Sequence, residues 1–294
     1  MIRGYGILVL AQLAIGAAAI FARYALAGSG PAWASALRLA IASLPLMALA
    51  IVRGAYRGGD RSTDRWLIGA GLLLGLHFVT WIDSLRYTTV AISTLLVTTT
   101  PVWTELFDRS VRHGSLRVRA LAIGIALVGV IIVIGWPSAS GSNPLLGAVL
   151  ALVGSFAIGG YLTIVRRVGE NPALRERYST VAIVGRTYPI AAIAVTVIAL
   201  VMHDRFPAAH DLTAWGGILA MALISQLLGH TALNAALRTL TSTVVAMTTL
   251  LEPLVAALFA AWLFSERLGP LTTLGGALVI VGIAVLVREE GRAV

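Results

Sequence analysis

Apolar residues fill most of the chain in long runs, separated by short polar stretches. Ten such runs can be counted, at approximately 5–27, 31–52, 66–86, 89–108, 118–136, 144–165, 179–201, 212–237, 241–263 and 270–287. A helix needs about 20 mainly apolar residues to cross a bilayer, and these runs have that length. A membrane β-barrel would instead alternate in roughly ten-residue segments. The pattern predicts an all-α polytopic membrane protein with ten transmembrane helices, joined by loops too short to hold a soluble domain. The first run, GYGILVLAQLAIGAAAIF after Arg3, ends in small residues as a signal peptide does. It exceeds an h-region of about 7–15 residues and matches a later run, so it reads as the first membrane helix.

Composition agrees. Hydrophobic residues make up 58% and charged residues 12% of the 294 positions, against about 25% charged in soluble domains. The absence of cysteine excludes disulfides, thiolate chemistry and cysteine-based metal sites. No metal site or cofactor is expected.

The net charge of +9 changes the picture only through its distribution. Every basic side chain is Arg. With the N-terminus in the cytoplasm, the inner segments hold Arg3, Arg53, Arg57, Arg61, Arg65, Arg109, Arg112, Arg117, Arg119, Arg166, Arg167, Arg175, Arg177, Arg238, Arg288 and Arg292; the outer ends hold Arg23, Arg86, Arg205 and Arg267. Sixteen against four is a positive-inside bias, which places both termini in the cytoplasm and argues against a nucleic-acid partner. Interfacial aromatics fit the same topology: Trp33, Trp136, Trp215 and Trp262 towards the outside, and Tyr56, Trp66 and Tyr178 towards the inside.

The chain also repeats itself. LRYTTVAISTLLVTTTPVW from Leu85 and LRTLTSTVVAMTTLLEPLV from Leu237 align at an offset of 152, pairing Leu85, Arg86, Thr89 and Pro101 with Leu237, Arg238, Thr241 and Pro253. At that offset Gly124 meets Gly276. At shorter offsets Gly16 and Arg23 match Gly159 and Arg166, and Arg38 matches Arg186. The halves are expected at 1–137 and 143–294, joined by PSASGSNP. Five helices per half is an odd number, so the second copy enters the membrane inverted. Secondary transporters recur in this form, with the substrate site near the midplane at the repeat interface. No G-x-x-x-x-G-K-[ST] phosphate loop suggests ATP drive.

This plan resembles the drug/metabolite transporter superfamily, specifically its EamA-type members. The resemblance rests on LEPLVAALFAAWLFSERLGPLTTLGGALVIVGI near the C-terminus and its degenerate first-half partner around TTPVW. One departure is that Glu266 has Gly114 at the corresponding first-half position. The resemblance implies alternating-access export of small metabolites across the cell inner membrane. The intramembrane aromatic and histidine content looks most like that of an aromatic amino acid exporter.

Candidate site residues follow from polar groups inside apolar runs. Glu252 falls near the centre of the ninth helix, where an ionised carboxylate costs about 2.5–3.5 kcal/mol on insertion scales. It can carry a coupling proton, meet a substrate ammonium, or brace two helices. Pro101 and Pro253 free the carbonyls of Val97 and Thr249 and are expected to mark hinges or kinks beside a central cavity. Gln226, His230 and Asn234 stand at i, i+4 and i+8 of the eighth helix. His77 and Trp81 stand at i and i+4 of the third. Such stripes face the bundle interior, lining a path or joining helices for roughly 0.6 kcal/mol each. Trp103, Tyr161 and Tyr188 lie away from the interfacial belts and are candidate walls for a ring-bearing solute, or packing. Gln12, one turn before Gly16, is within reach of the same cavity. Arg38 and Arg186 either lock helix ends or hold a substrate carboxylate by forked hydrogen bonds; their symmetry favours the structural role. Glu105 and Asp108 are expected to snorkel into the arginine-rich inner loop. Gly71 and Gly75 predict close helix contact within the chain.

An enzyme would need carboxylates or a Ser/His pair converging at one depth. Asp83, Glu105 and Glu252 fall at three different depths, and neither H-E-x-x-H nor G-x-S-x-G occurs. The expected function is therefore export of neutral or aromatic amino acids, with organic-cation efflux through an aromatic cage as the alternative and a passive channel as a third reading.

Overall fold

The computed structural model describes residues 2–57, 59–108, 115–134, 141–255 and 269–291. Gly114, Trp136, Trp262, Glu266, residues 137–140 of the joint, and the arginines at 109, 112, 267 and 292 lie outside the described residues, as does the side chain of Arg3.

All regular structure among the described residues is helical. In chain order the elements are α1 (Ile2–Ile15), α2 (Ala18–Gly28), α3 (Pro31–Val52), α4 (Arg61–Tyr87), α5 (Val90–Val97), α6 (Thr100–Phe107), α7 (Leu116–Ile134), α8 (Pro144–Glu170), the short α9 (Pro172–Arg175), α10 (Thr180–Val201) and α11 (Leu212–Ala220). A π-helical stretch (Met221–His230), α12 (Thr231–Ala236), α13 (Ser242–Thr249) and α14 (Pro270–Gly291) follow. Eight stretches of the described residues are long and apolar enough to cross a membrane, and Ser242–Val255 is a shorter apolar helix.

The helix starts are set locally. Asp60 accepts from the Thr63 N–H at 2.9 Å, Thr89 from Ile92, Asn143 from Leu146, Ser179 from Ala182, Asp211 from Ala214 and Thr241 from Val244. Each fills one of the donors that a helix N-terminus leaves open.

Two sets of loops define two faces. On the arginine-rich face, Arg238 donates to the Tyr178 carbonyl at 2.8 Å, Arg167 to the Phe107 carbonyl at 2.9 Å, and Thr241 to Glu290 at 2.6 Å. On the far face, the Gly30 N–H donates to the Arg205 carbonyl at 2.7 Å and the Asn143 N–H to the Tyr87 carbonyl at 3.2 Å. The first span therefore leaves the arginine face, while α8, which opens the second half, leaves the far face. The halves run in opposite senses.

Packing obeys the same symmetry. α4 lies on α8 as α11 lies on α2, while α3 pairs with α10 and α7 with α14. Small residues permit the approach. A Cβ on Gly71 would sit 2.9 Å from the Thr187 carbonyl oxygen, and one on Gly75 3.2 Å from that of Ala191. Both glycines face α10.

Four spans that the sequence pattern presents as continuous are not regular α-helices. The first breaks at Gly16–Ala17, the fourth at Thr98–Thr99, and the ninth at Leu250–Leu251 before resuming at Glu252. The eighth widens into the π-helix. The fourth and ninth breaks coincide at the offset of 152. Pro101 and Pro253 each sit in the first turn after the break, where a missing N–H removes nothing from the helix. Threonines satisfy the carbonyls at the interruptions: Thr98, Thr99 and Thr100 donate to Leu95, Leu96 and Val97, and Thr248 and Thr249 to Val245 and Ala246. That local satisfaction lets an interrupted helix persist inside a bilayer.

Candidate functional site: a polar and aromatic void between the halves

The interrupted helices converge. Gly16 packs against Val255, and a Cβ there would stand 2.5 Å from the valine Cγ1; Gly159 packs against Trp103, with 2.7 Å to its Cβ. Gly16 and Gly159 are repeat partners, and so are Trp103 and Val255 at the offset of 152. Beside them lies a void of about 40 Å³, lined by Ile15, Ala18, His77, Phe78, Trp81, Thr98, Thr100, His230, Thr249 and Glu252 among others. It has room for water molecules and is far below the about 300 Å³ at which pockets for drug-sized ligands begin.

Glu252 and Trp81 also line a second cavity of about 270 Å³, with Gly16, Val90, Ala91 and Pro253. Val90 and Ala91 in turn border a far-face vestibule of about 630 Å³ that includes Arg23 and Arg86. The cavities share walls in sequence, from the central void towards the far face.

The aromatic groups are ordered by contact. His77 and Trp81 stack with parallel rings at 6.1 Å. The Phe78 ring meets His77 at 4.6 Å and His230 at 5.1 Å, edge to face. His77 Nδ1 lies 2.9 Å from the Gly154 carbonyl oxygen, a bond that fixes the ring. Glu252 has no hydrogen bond or ion pair among the described residues.

The other sequence candidates take different positions. Tyr161 donates to Asn234 Oδ1 at 2.7 Å, and Asn234 donates to the His230 carbonyl at 2.7 Å. Tyr188 lies 3.4 Å from the Thr231 hydroxyl. These three form a hydrogen-bonded layer beside the void and do not line it. Gln12 donates to Thr248 at 3.0 Å, tying the first span to the ninth. Trp103 packs on Phe107 and Phe156.

Gln226 accepts from Arg38 Nε at 3.0 Å. Arg38 is fully buried, with its guanidinium 3.9 Å above the Phe78 ring. Its two terminal nitrogens have no hydrogen-bond partner among the described residues. Arg186, its repeat partner, has more partners: it bonds Asp64 at 3.1 Å and the carbonyls of Ala55 and Ala182, and lies against Tyr56 and Tyr178. The two arginines are equivalent in sequence and unlike in surroundings. Near Arg186, burial pushes the Tyr178 hydroxyl above its ordinary pKa, so it remains a donor to Asp64 at 3.0 Å.

Glu105 does not snorkel. It takes three contacts from Arg119, at 3.0, 3.0 and 2.7 Å, and Arg119 also reaches Glu290 at 3.2 Å. Thr241 donates to Glu290, Ser242 to Asp108 at 2.8 Å, and the Ser115 N–H to Glu289 at 2.6 Å. This network joins α6, α7, α13 and α14 across the arginine face.

Sequence reasoning missed Phe78, the threonine wall, the Gly16 break and the π-helix. Phe78 adjoins His77, and TTT precedes Pro101; both were visible signals. The π-helix leaves no comparable mark.

Two helical halves of opposite sense, with interrupted helices and a polar, aromatic void between them, define a membrane transporter of the inverted-repeat type. The comparisons agree. The chain belongs to the EamA-like transporter family, whose profile matches residues 2–135 and again residues 145–288. It is 24% identical over 227 residues, 76% of this chain and 74% of the relative, to an uncharacterized transporter of Archaeoglobus fulgidus. A solved structure described only as "Crystal structure of protein" superposes with a TM-score of 0.77, at 17% identity, covering 99% of this chain and 98% of the other. That likeness carries the fold alone.

Proposed function

We propose that the protein exports neutral amino acids, aromatic ones among them, across the cell inner membrane. The observation that supports this most directly is Glu252: a carboxylate without hydrogen bond or ion pair among the described residues, at the midplane void, facing the rings of His77, Phe78, Trp81 and His230. A substrate ammonium paired with Glu252 would neutralise a charge that is costly at that depth, while the rings accept an apolar side chain.

Transport follows by alternating access of the void to the two faces. The halves, 1–137 and 143–294, rock against one another about the breaks that precede Pro101 and Pro253. The ion-pair network closes the arginine face here, and the chain of cavities leads to the other. By the positive-inside rule the closed face is cytoplasmic, with both termini on that side. Glu252 is also the group a coupling proton would use when the site is empty of substrate.

The test is uptake of labelled phenylalanine into proteoliposomes holding the purified protein, with unlabelled competitors. Saturable uptake that neutral amino acids compete for supports the reading. No uptake above empty liposomes, or competition by organic cations alone, refutes it.

A further inference from the structure

Arg38 is a fully buried guanidinium with a single hydrogen bond, to Gln226. Glu252 acts on it through space without a hydrogen bond, and an unsatisfied buried donor calls for a partner. Gln226 holds only Nε, which orients the fork and leaves both terminal nitrogens free. Phe78 covers the guanidinium and also forms part of the void's wall. The repeat supplies an internal control: at the matching place Arg186 has a carboxylate and two carbonyls, where Arg38 has the single Gln226 bond.

We propose that Arg38 is the carboxylate-binding residue of the transport site, covered in this conformation by Phe78, and that it selects solutes bearing a carboxylate over the matching amides and amines. The inference deepens the reading given above and rests on that cavity being the transport site. When Phe78 turns aside, the planar fork accepts a carboxylate through two parallel N–H···O bonds. Glu252 takes the ammonium. A solute with an ammonium but no carboxylate leaves the Arg38 fork unpaired, which disfavours simple organic cations.

The experiment measures binding directly, by the thermal shift of the purified protein with phenylalanine, phenylalaninamide, phenethylamine and 3-phenylpropionate, in parallel with phenylalanine uptake. A charged hydrogen-bonded pair predicts that phenylalanine binds about tenfold to a hundredfold more tightly than its amide. Arg38→Gln should bring the two within about threefold, while Glu252→Gln should weaken both together. If Arg38→Gln does not fold, Arg38→Lys serves, because a point charge without the fork narrows the margin and does not erase it. Equal binding of acid and amide by the wild-type protein overturns the proposal, as does an unchanged margin in the variant. Stabilisation by 3-phenylpropionate that is lost in Arg38→Gln, without any phenylalanine uptake, would keep Arg38 as a carboxylate site and reject amino acid export.

Discussion

Replacing Glu105 with Gln tests what closes the arginine face. The side chains of Arg119 and Glu105 are 4% and 11% exposed, so their interaction is poorly screened, unlike a surface pair worth about 0–1 kcal/mol. Removing one partner of a buried pair costs about 3–5 kcal/mol, because the remaining charge is left uncompensated. Glu290 still reaches Arg119 at 3.2 Å, which sets the expectation at the lower end, about 3 kcal/mol. The pair joins α6 to α7 and, through Glu290 and Thr241, to α14 and α13. If it exists only while this face is closed, the loss falls on the balance between closed and open forms. At 1.4 kcal/mol per tenfold, opening of that face becomes roughly a hundredfold more favourable. The cysteine-free chain makes the assay clean. A single Cys placed at Thr104, buried here at 0% exposure, should react with a membrane-impermeant maleimide from the arginine face much faster in the Glu105→Gln background. An unchanged labelling rate with an unchanged Tm would refute the network as a closure. A fall in Tm with unchanged labelling would show that it supports the fold and not the closed face.

Gly16→Ala places a Cβ 2.5 Å from Val255 Cγ1; overpacking of this kind costs about 1–3 kcal/mol and should depress both Tm and flux, with Gly159→Ala producing the same effect at Trp103. Tyr161→Phe strips the donor from buried Asn234 Oδ1, and the cost of about 1–3 kcal/mol should appear in thermal unfolding with substrate preference unchanged. Arg186→Gln should lower folding yield while leaving the acid-over-amide preference of the wild type, the reverse of Arg38→Gln; altered selectivity would contradict the roles assigned to the two. Asp60 is held below the usual carboxylate range, first by the Thr63 N–H and hydroxyl. A depressed folded value means that the cap contributes above the unfolded pKa and is lost as pH falls through the lowered one. Thr63→Val should therefore shift acid unfolding to higher pH, measured by circular dichroism in detergent.

Sequence alone determined the all-helical membrane class, the order of the helices and the repeat, since bilayer length and apolar runs are local properties. It placed His77, Trp81, His230 and Glu252 in interior spans, and all four line one void. It also located the paired breaks to within a few residues, because Pro101 and Pro253 carry the cue themselves. The tertiary structure decided the rest, where the outcome depends on which side chains meet. Arg38 and Arg186 look equivalent along the chain, yet among the described residues only Arg186 forms an ion pair, with Asp64 on the neighbouring helix. Glu105 could extend to water by its own length and is instead held by Arg119 fourteen residues away. Tyr161 and Asn234 both have the polar character of site residues, and satisfy each other. Whether a polar group in a membrane is free to bind a solute is decided by its neighbours across the helix interface, and those are set by packing and not by spacing along one helix.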